Sequence, residues 1–117
     1  MQYVLLIHEN ESRWDARSEA EQGEIMAGYG TFSEHLAQSN QMLGGQRLQP
    51  SHTATTVRVR DGKIALTDGP FTETKEQLGG FYLVEAKDLD EATQIAAKIP
   101  TAKNGCVEVR PIWMMDG

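Results

Sequence analysis

Asp68 is the residue whose surroundings most suggest chemistry, because the strand pattern places its carboxylate among apolar side chains. In the hairpin register described below, it shares a face with Val57 and Leu66. A carboxylate in that position must be hydrogen-bonded or must line a cavity. As a cavity residue it would serve as a catalytic acid or base. The alternative is an Asx turn, in which the side chain accepts hydrogen bonds from backbone amides around Gly69 and Phe71.

His8 is the second catalytic candidate, at the end of the first predicted strand and on the same face as Val4 and Leu6. There it would act as a base or orient one. The alternative is a half-buried histidine bound to a carbonyl. His35 falls on the first predicted helix and His52 in a loop, so the three histidines have no metal-binding spacing. We therefore expect no metal site.

Four further side chains are candidates for ligand binding. Arg47 or Arg58 would hold an anionic group, and Trp14 and Phe71 would form walls for a flat molecule. The alternative for the aromatic side chains is a place in the core or in a subunit interface. These assignments predict a site for a small hydrophobic or aromatic molecule.

The sequence contains no motif for a cofactor or a covalent nucleophile. The glycine pairs at 44–45 and 79–80 lack the lysine of a phosphate-binding loop and the spacing of a dinucleotide site. There is no Gly-x-Ser-x-Gly elbow, and Cys106 has no evident histidine or asparagine partner. We therefore expect neither a metal nor an organic cofactor.

Composition limits the classes of protein. The chain has 117 residues, which favours a single domain over 1–117, and its net charge of -6 argues against nucleic acid as a partner. The longest apolar runs are far short of the ~20 residues that span a bilayer, so we expect no membrane association. The single cysteine favours a reducing compartment and a cytoplasmic location.

Capping residues and apolar stripes predict two helices. Ser18 with Glu21 forms a capping box, and Asp88 with Glu91 repeats the N-cap pattern. The stripe residues fall at helical spacing. They are Ile25, Tyr29, Phe32 and Leu36 in the first helix, and Leu89, Ala92, Ile95, Ala96 and Ile99 in the second.

The remaining apolar runs predict strands, and one pair forms a hairpin. Thr55–Arg60 and Lys63–Thr67 flank Asp61-Gly62, the dipeptide that a type I′ turn prefers. A two-residue loop pairs Val59 with Ile64, and Val57 with Leu66. The other predicted strands lie at Tyr3–Ile7, Met42-Leu43, Phe81–Val84 and from Val107 toward Trp113.

The resulting order is β-α-β, an inserted hairpin, then β-α-β, which is typical of a ferredoxin-like α+β sandwich. Two helices cover only one side of such a sheet. The strands at Tyr3–Ile7 and Phe81–Val84 are apolar on both faces, so the uncovered face would be buried by a second subunit. We expect a homodimer, with higher assembly left open.

Residues 68–82, which read DGPFTETKEQLGGFY, resemble the signature of the DGPF-type, YCII-related family. The opening MQYVLLI, the turn LQP, the segment TTVR with its Asp-Gly hairpin, the segment DLDEA and the closing VEVRPIW resemble the same pattern. The resemblance covers essentially the whole chain. It implies a ferredoxin-like fold that assembles as a dimeric α+β barrel.

For function, the resemblance implies two readings. One branch of the family has a proposed His-Asp pair with its histidine on the first helix, a position that falls near Gly28 here, and broader relatives act on aromatic or lactone substrates. This sequence therefore lacks that histidine. From the residues singled out above we expect a small enzyme without metal or organic cofactor, in which Asp68, helped by His8, does the acid-base chemistry. Other members are associated with alternative sigma factors, so the alternative is a non-catalytic ligand-binding or protein-interaction dimer with a regulatory role.

Overall fold

The side chains of the first strand, β1 (Gln2–Glu9), point alternately to the two faces of the main sheet, and only one of these faces is covered. Tyr3, Leu5 and Ile7 are buried, whereas Val4 and Leu6 are only half-buried. Because successive side chains of a strand point to opposite faces, the first set meets the helices and the second set lies on the uncovered face. The computed structural model describes residues 1–115.

The main sheet has four antiparallel strands in the order β2-β5-β1-β6. β2 spans Met42–Arg47, β5 spans Gln77–Glu85 and β6 spans Cys106–Pro111. The predicted α+β class is confirmed, and the strand order is that of two interleaved β-α-β units. The dimeric barrel concerns a second subunit and stays a prediction.

Two helices pack on one face of this sheet, and a short helix precedes them in the chain. α1 (Glu11–Ala16) was not predicted; it begins after Asn10, whose side chain accepts a hydrogen bond from the Ser12 amide. α2 (Glu19–Gln38) begins at the predicted capping box, and α3 (Leu89–Ala97) begins at Asp88. The core includes the edge-to-face pair Phe32–Tyr82, with ring centroids 5.0 Å apart. Its other members include Leu5, Val84, Leu36, Ala92, Ile95 and Ile99.

The inserted hairpin forms a separate two-stranded sheet, which we call the arm. It consists of β3 (Thr55–Arg60) and β4 (Lys63–Asp68), with the predicted register throughout. Asp61 and Gly62 both have positive φ, as a type I′ turn requires. The radius of gyration is 16.3 Å, against about 13 Å for a compact domain of this length. The arm therefore extends away from the rest of the chain.

Among the residues that the structure describes, no helix has both the length and the apolar character needed to cross a membrane.

Candidate functional site

A cavity of about 630 Å³ lies at one end of the helix-covered face of the sheet. Its walls come from the ends of β1, β2 and β5, from α1 and α2, and from the loop before the arm. This volume is within the range of sites for small organic molecules. Ile25 and Tyr29, the first two residues of the apolar stripe on α2, face the cavity. The next two, Phe32 and Leu36, are buried in the core.

Trp14 and Arg47 form one wall. The Arg47 guanidinium carbon lies 4.9 Å from the centroid of the Trp14 ring, a cation-π arrangement. Its Nη1 also donates a weak hydrogen bond to the Met26 sulfur at 3.8 Å. Arg47 takes part in none of the ion pairs found within residues 1–115. Its charge is therefore available to an anionic ligand.

Glu9 brings a carboxylate into the cavity. It continues the buried alternation of Tyr3, Leu5 and Ile7 along β1, and it is ion-paired to Arg17 with both side chains largely buried. The hydrogen bond from Arg17 reaches one carboxylate oxygen, Oε1. Arg17 Nη1 is itself buried and finds no hydrogen-bond partner among the described residues.

Two pairs of hydroxyl groups line the inner end of the cavity. The hydroxyls of Tyr29 and Thr101 are 2.5 Å apart, and those of Ser33 and Tyr82 are 2.9 Å apart. Burial raises the pKa of Tyr29, and the charge on Glu9 adds to this rise while the bond with Thr101 opposes it. Tyr29 therefore stays protonated at neutral pH and can donate a hydrogen bond to a ligand.

Glycine residues allow β2 and β5 to pair closely on the sheet side of the cavity. A Cβ atom at Gly45 would lie 2.9 Å from the Phe81 carbonyl oxygen and the Tyr82 ring, and one at Gly80 would lie 2.8 Å from the Gln46 carbonyl oxygen. Both distances are shorter than any real contact of a Cβ atom. Larger residues at these two positions would displace the strands that form the cavity.

Trp14 and Arg47 are the predicted ligand-binding residues that the structure brings together at the cavity; their binding role stays a prediction. Asp68, Arg58 and Phe71 do not line it. Asp68 is exposed, and its side chain makes no hydrogen bond within residues 1–115, so neither the cavity nor the Asx turn is seen there. The reason is that the apolar face of the arm is exposed and, unlike that of β1, is not covered by the rest of residues 1–115.

His8 lies on the uncovered face of the sheet, away from the cavity. It is the cross-strand neighbour of Cys106 and lines a smaller hollow with Lys75 and Glu76. Desolvation raises the pKa of the exposed Cys106 thiol, and the Glu76 carboxylate, 3.7 Å from the sulfur, raises it further. The thiol is thus kept in its less reactive form. The structure does not bring His8 and Asp68 together in one pocket, and their catalytic roles stay predictions.

Sequence reasoning missed Glu9 and His52 as cavity residues, and it considered Tyr29 only as one of several aromatic side chains that could cover a pocket. The signal for Glu9 was present, because its carboxylate follows three apolar residues at strand spacing, which is the argument that was applied to Asp68. Tyr29 was assigned to the apolar stripe of the helix. His52, in the turn Ser51–Thr53, could not be placed because its loop has no periodicity.

At Gly28, where the family resemblance would place a histidine, an added Cβ would lie 3.1 Å from Pro100 Cγ. A side chain at this position would therefore contact Pro100. Within the part of the chain that the structure describes, no three histidine, cysteine or acidic side chains are grouped as metal ligands.

Comparison with known proteins places these features in a family. The family model for the YCII-related domain matches residues 1–116. An uncharacterised protein of Rhizobium meliloti (strain 1021) is 36% identical over 114 residues, which cover 96% of this chain and 92% of that protein.

A solved structure shares the fold. It is 5-chloro-2-hydroxyhydroquinone dehydrochlorinase from Burkholderia phenoliruptrix AC1100, in complex with 2,5-dihydroxybenzoquinone. The TM-score is 0.59 with 16% sequence identity, and the match covers 99% of this chain and 96% of the other. At this identity the likeness concerns the fold alone.

Proposed function

This chain belongs to the family of YCII-related domains, and we propose that it is a small enzyme performing acid-base chemistry on an aromatic molecule bound in the cavity. The observation that carries the proposal is the convergence of Trp14, Arg47, Glu9 and Tyr29 on one cavity of about 630 Å³. These side chains supply an aromatic surface, a cation, a carboxylate and a neutral phenol.

Arg47 defines the kind of substrate. A guanidinium held against an indole ring, without a carboxylate partner among the described residues, favours a ligand that combines a flat ring with an anionic oxygen. A phenolate or an aromatic carboxylate has both features. The ring would lie near Trp14, and its oxygen would accept hydrogen bonds from Arg47.

Glu9 and Tyr29 supply the proton transfers. The carboxylate of Glu9 would take a proton from the substrate, and the Tyr29 hydroxyl would donate one to a substrate oxygen. The net change is the movement of a proton from one substrate position to another, after which solvent returns both side chains to their starting states. Arg17 would hold the Glu9 carboxylate in place through its Oε1.

The fold neighbour guides the choice of compounds to test. By its name that protein removes chloride from a hydroxylated ring, and its structure contains a dihydroxybenzoquinone. We therefore propose hydroxylated or halogenated quinols and hydroxybenzoates as the first compounds to test, and proton transfer, isomerisation or elimination as the reaction type.

The test is a binding and turnover screen with a matched pair of variants. Arg47→Gln removes the cavity cation, and Arg60→Gln removes an exposed cation from the arm. We expect a phenolic or carboxylic ring compound to bind the wild type and Arg60→Gln alike, and to bind Arg47→Gln about tenfold more weakly. Equal affinity for all three proteins would contradict the proposed site. A ligand bound without turnover would instead favour the non-catalytic, ligand-binding alternative.

We further propose that the chain acts as a homodimer, with the uncovered sheet face buried between subunits as in a dimeric α+β barrel. Val4, Leu6 and Leu83 give this face apolar side chains that the chain itself leaves half-covered. A cytoplasmic location and the absence of a nucleic-acid partner also stay predictions, the latter from the net charge of -6.

A further inference from the structure

We propose that Thr101 is a positioning residue, which donates its hydroxyl hydrogen to the Tyr29 oxygen so that the Tyr29 proton is directed into the cavity. The inference rests on the proposed function, in which Tyr29 is the acid, and it adds a residue to that site. Thr101 lines the cavity together with Tyr29, and the acid-base chemistry described above gives it no role.

Burial decides which of the two hydroxyls is the donor in the bond between them. Their oxygens are 2.5 Å apart, and either atom could be the donor. Thr101 is only 7% exposed, and within residues 1–115 the Tyr29 oxygen is the only hydrogen-bond partner of its hydroxyl. Because a buried hydroxyl hydrogen without an acceptor is costly, Thr101 has to donate to Tyr29. Tyr29 is only half-buried, so its own hydrogen can turn to the cavity.

A hydrogen bond in this direction makes Tyr29 a better acid. Burial raises the pKa of Tyr29, and hydrogen bonds from the side chain and the backbone of Thr101 act against that rise. The cause is that a phenolate accepts a hydrogen bond more strongly than a neutral phenol does. Thr101 therefore favours the form of Tyr29 that has given up its proton.

The proton transfer from Tyr29 uses this arrangement directly. The Tyr29 O–H bond breaks, an O–H bond forms on the substrate oxygen, and the negative charge passes to the Tyr29 oxygen. The Thr101 hydrogen is already directed at that oxygen, so the charge is stabilised without rearrangement. Solvent later returns the proton to Tyr29.

The fold brings Thr101 to α2 through a close contact at Gly28. Thr101 belongs to a short 3₁₀ helix, Pro100–Lys103, which follows α3. Pro100 lies against Gly28, since an added Cβ there would be 3.1 Å from Pro100 Cγ. Gly28–Pro100 and Tyr29–Thr101 are thus successive contacts between α2 and this short helix. The lack of a side chain at Gly28 allows Thr101 to come within hydrogen-bonding distance of Tyr29.

The first test measures the acidity of Tyr29 without any substrate. Tyrosine is replaced throughout by 3-fluorotyrosine, whose lower pKa lets the titration finish before the chain unfolds, and Tyr29→Phe assigns the fluorine signal of Tyr29. Thr101→Val removes a bond that stabilises the phenolate, so the pKa of Tyr29 should rise above that in the wild type. Thr101→Ser keeps the hydroxyl and should retain the wild-type pKa.

Two results of this titration would overturn the proposal. If Tyr29 were the donor, Thr101→Val would remove a bond to the protonated form, and the pKa of Tyr29 would fall or stay unchanged. If Thr101→Ser raised the pKa as much as Thr101→Val, the effect would come from packing and not from the hydroxyl.

The second test uses a compound that the wild type turns over. Thr101→Val should lower kcat about tenfold with KM within about twofold, whereas Thr101→Ser should retain most of the activity. In the Tyr29→Phe background Thr101→Val should have no further effect, because Thr101 acts through Tyr29. An equal loss in both backgrounds would contradict the proposal. If no compound is turned over, the proposed function fails, while the fluorine titration still decides the direction of this hydrogen bond.

Discussion

The guanidinium carbon of Arg47 lies 4.9 Å from the centroid of the Trp14 ring, so that a cation and an aromatic ring are stacked together at the cavity wall. Neither side chain is near the other in sequence. α1, six residues long and capped by Asn10, places Trp14 there, and the end of β2 places Arg47. This pair favours a ligand that combines a flat ring with an anionic group.

We expect Trp14 and Arg47 to be energetically coupled in ligand binding. Trp14→Leu should weaken binding of an aromatic anion by about tenfold, because the ring loses its stacking surface and Arg47 loses its support. In the Arg47→Gln background the same change should cost less. A double-mutant cycle by calorimetry measures the coupling, and strictly additive losses would show that the two residues act separately.

Glu9→Gln should remove turnover while leaving ligand affinity within a few-fold of the wild type. The amide keeps an oxygen for Arg17 but no longer takes up a proton, so the expected loss in kcat is at least about a hundredfold. Glu34→Gln, at an exposed position on α2, is the control and should retain full activity. A Glu9→Gln enzyme with normal kcat would assign the base to another group, with His52 at the cavity next to be changed.

We expect the folded chain to lose stability at high pH because of Tyr29. Its pKa is raised above the ordinary value of 10.0 by burial, so the folded chain keeps a proton that the unfolded chain releases. The stabilisation that this raised pKa provides is fully present below about pH 10. It is lost as the pH rises through the pKa of Tyr29 in the folded chain. Tyr29→Phe should lower the free energy of unfolding by about 1 kcal/mol at neutral pH, because the hydrogen bond with Thr101 is lost. Above pH 10 the stability of this variant should decline less steeply than that of the wild type. Urea unfolding at a series of pH values measures both effects.

Leu5 and Leu6 offer a test of the two faces of the sheet. Leu5 is fully buried under the helices, so Leu5→Ala should lower the free energy of unfolding by about 2–5 kcal/mol. Leu6 lies on the uncovered face, where Leu6→Glu should mainly reduce self-association. If Leu6→Glu left the oligomeric state unchanged, the proposed subunit contact through this face would be wrong.

Three glycines within α2 should respond differently to alanine. Gly23 and Gly30 have open space where a Cβ would lie, so each change should stabilise the helix by about 0.5–1 kcal/mol. At Gly28 the contact with Pro100 at 3.1 Å should cancel most of that gain. Thermal unfolding of the three single variants decides the matter, and an equal gain at all three positions would mean that Pro100 moves freely.

The elements with strong local signals were predictable from the sequence. The capping box at Ser18, the N-cap at Asp88 and the register around Asp61-Gly62 all follow from interactions within a few residues of each other. The α+β class followed because the order of these elements restricts how they can pair. α1 was missed because six residues carry too little periodicity.

The candidate site was predictable only in part, because a site depends on which apolar faces are covered. Trp14 and Arg47 were identified by their chemistry and do line the cavity. Asp68 was selected on the assumption that the apolar face of the arm is internal, and in a single chain that face is exposed. The same argument applied to Glu9 identifies a cavity residue, since the face of β1 to which it belongs is under the helices.

The base of the arm makes this segment separable from the rest of the fold. Thr55 and Asp68 are cross-strand partners, so their Cα atoms lie about 5 Å apart, and the Gly69 amide donates a hydrogen bond to the Ala54 carbonyl at 2.7 Å just below them. A two-glycine bridge could therefore replace the whole segment without moving β2 or β5. The arm is in this sense a transplantable module, whose length and outer charges can vary while the four-stranded sheet and its cavity remain unchanged.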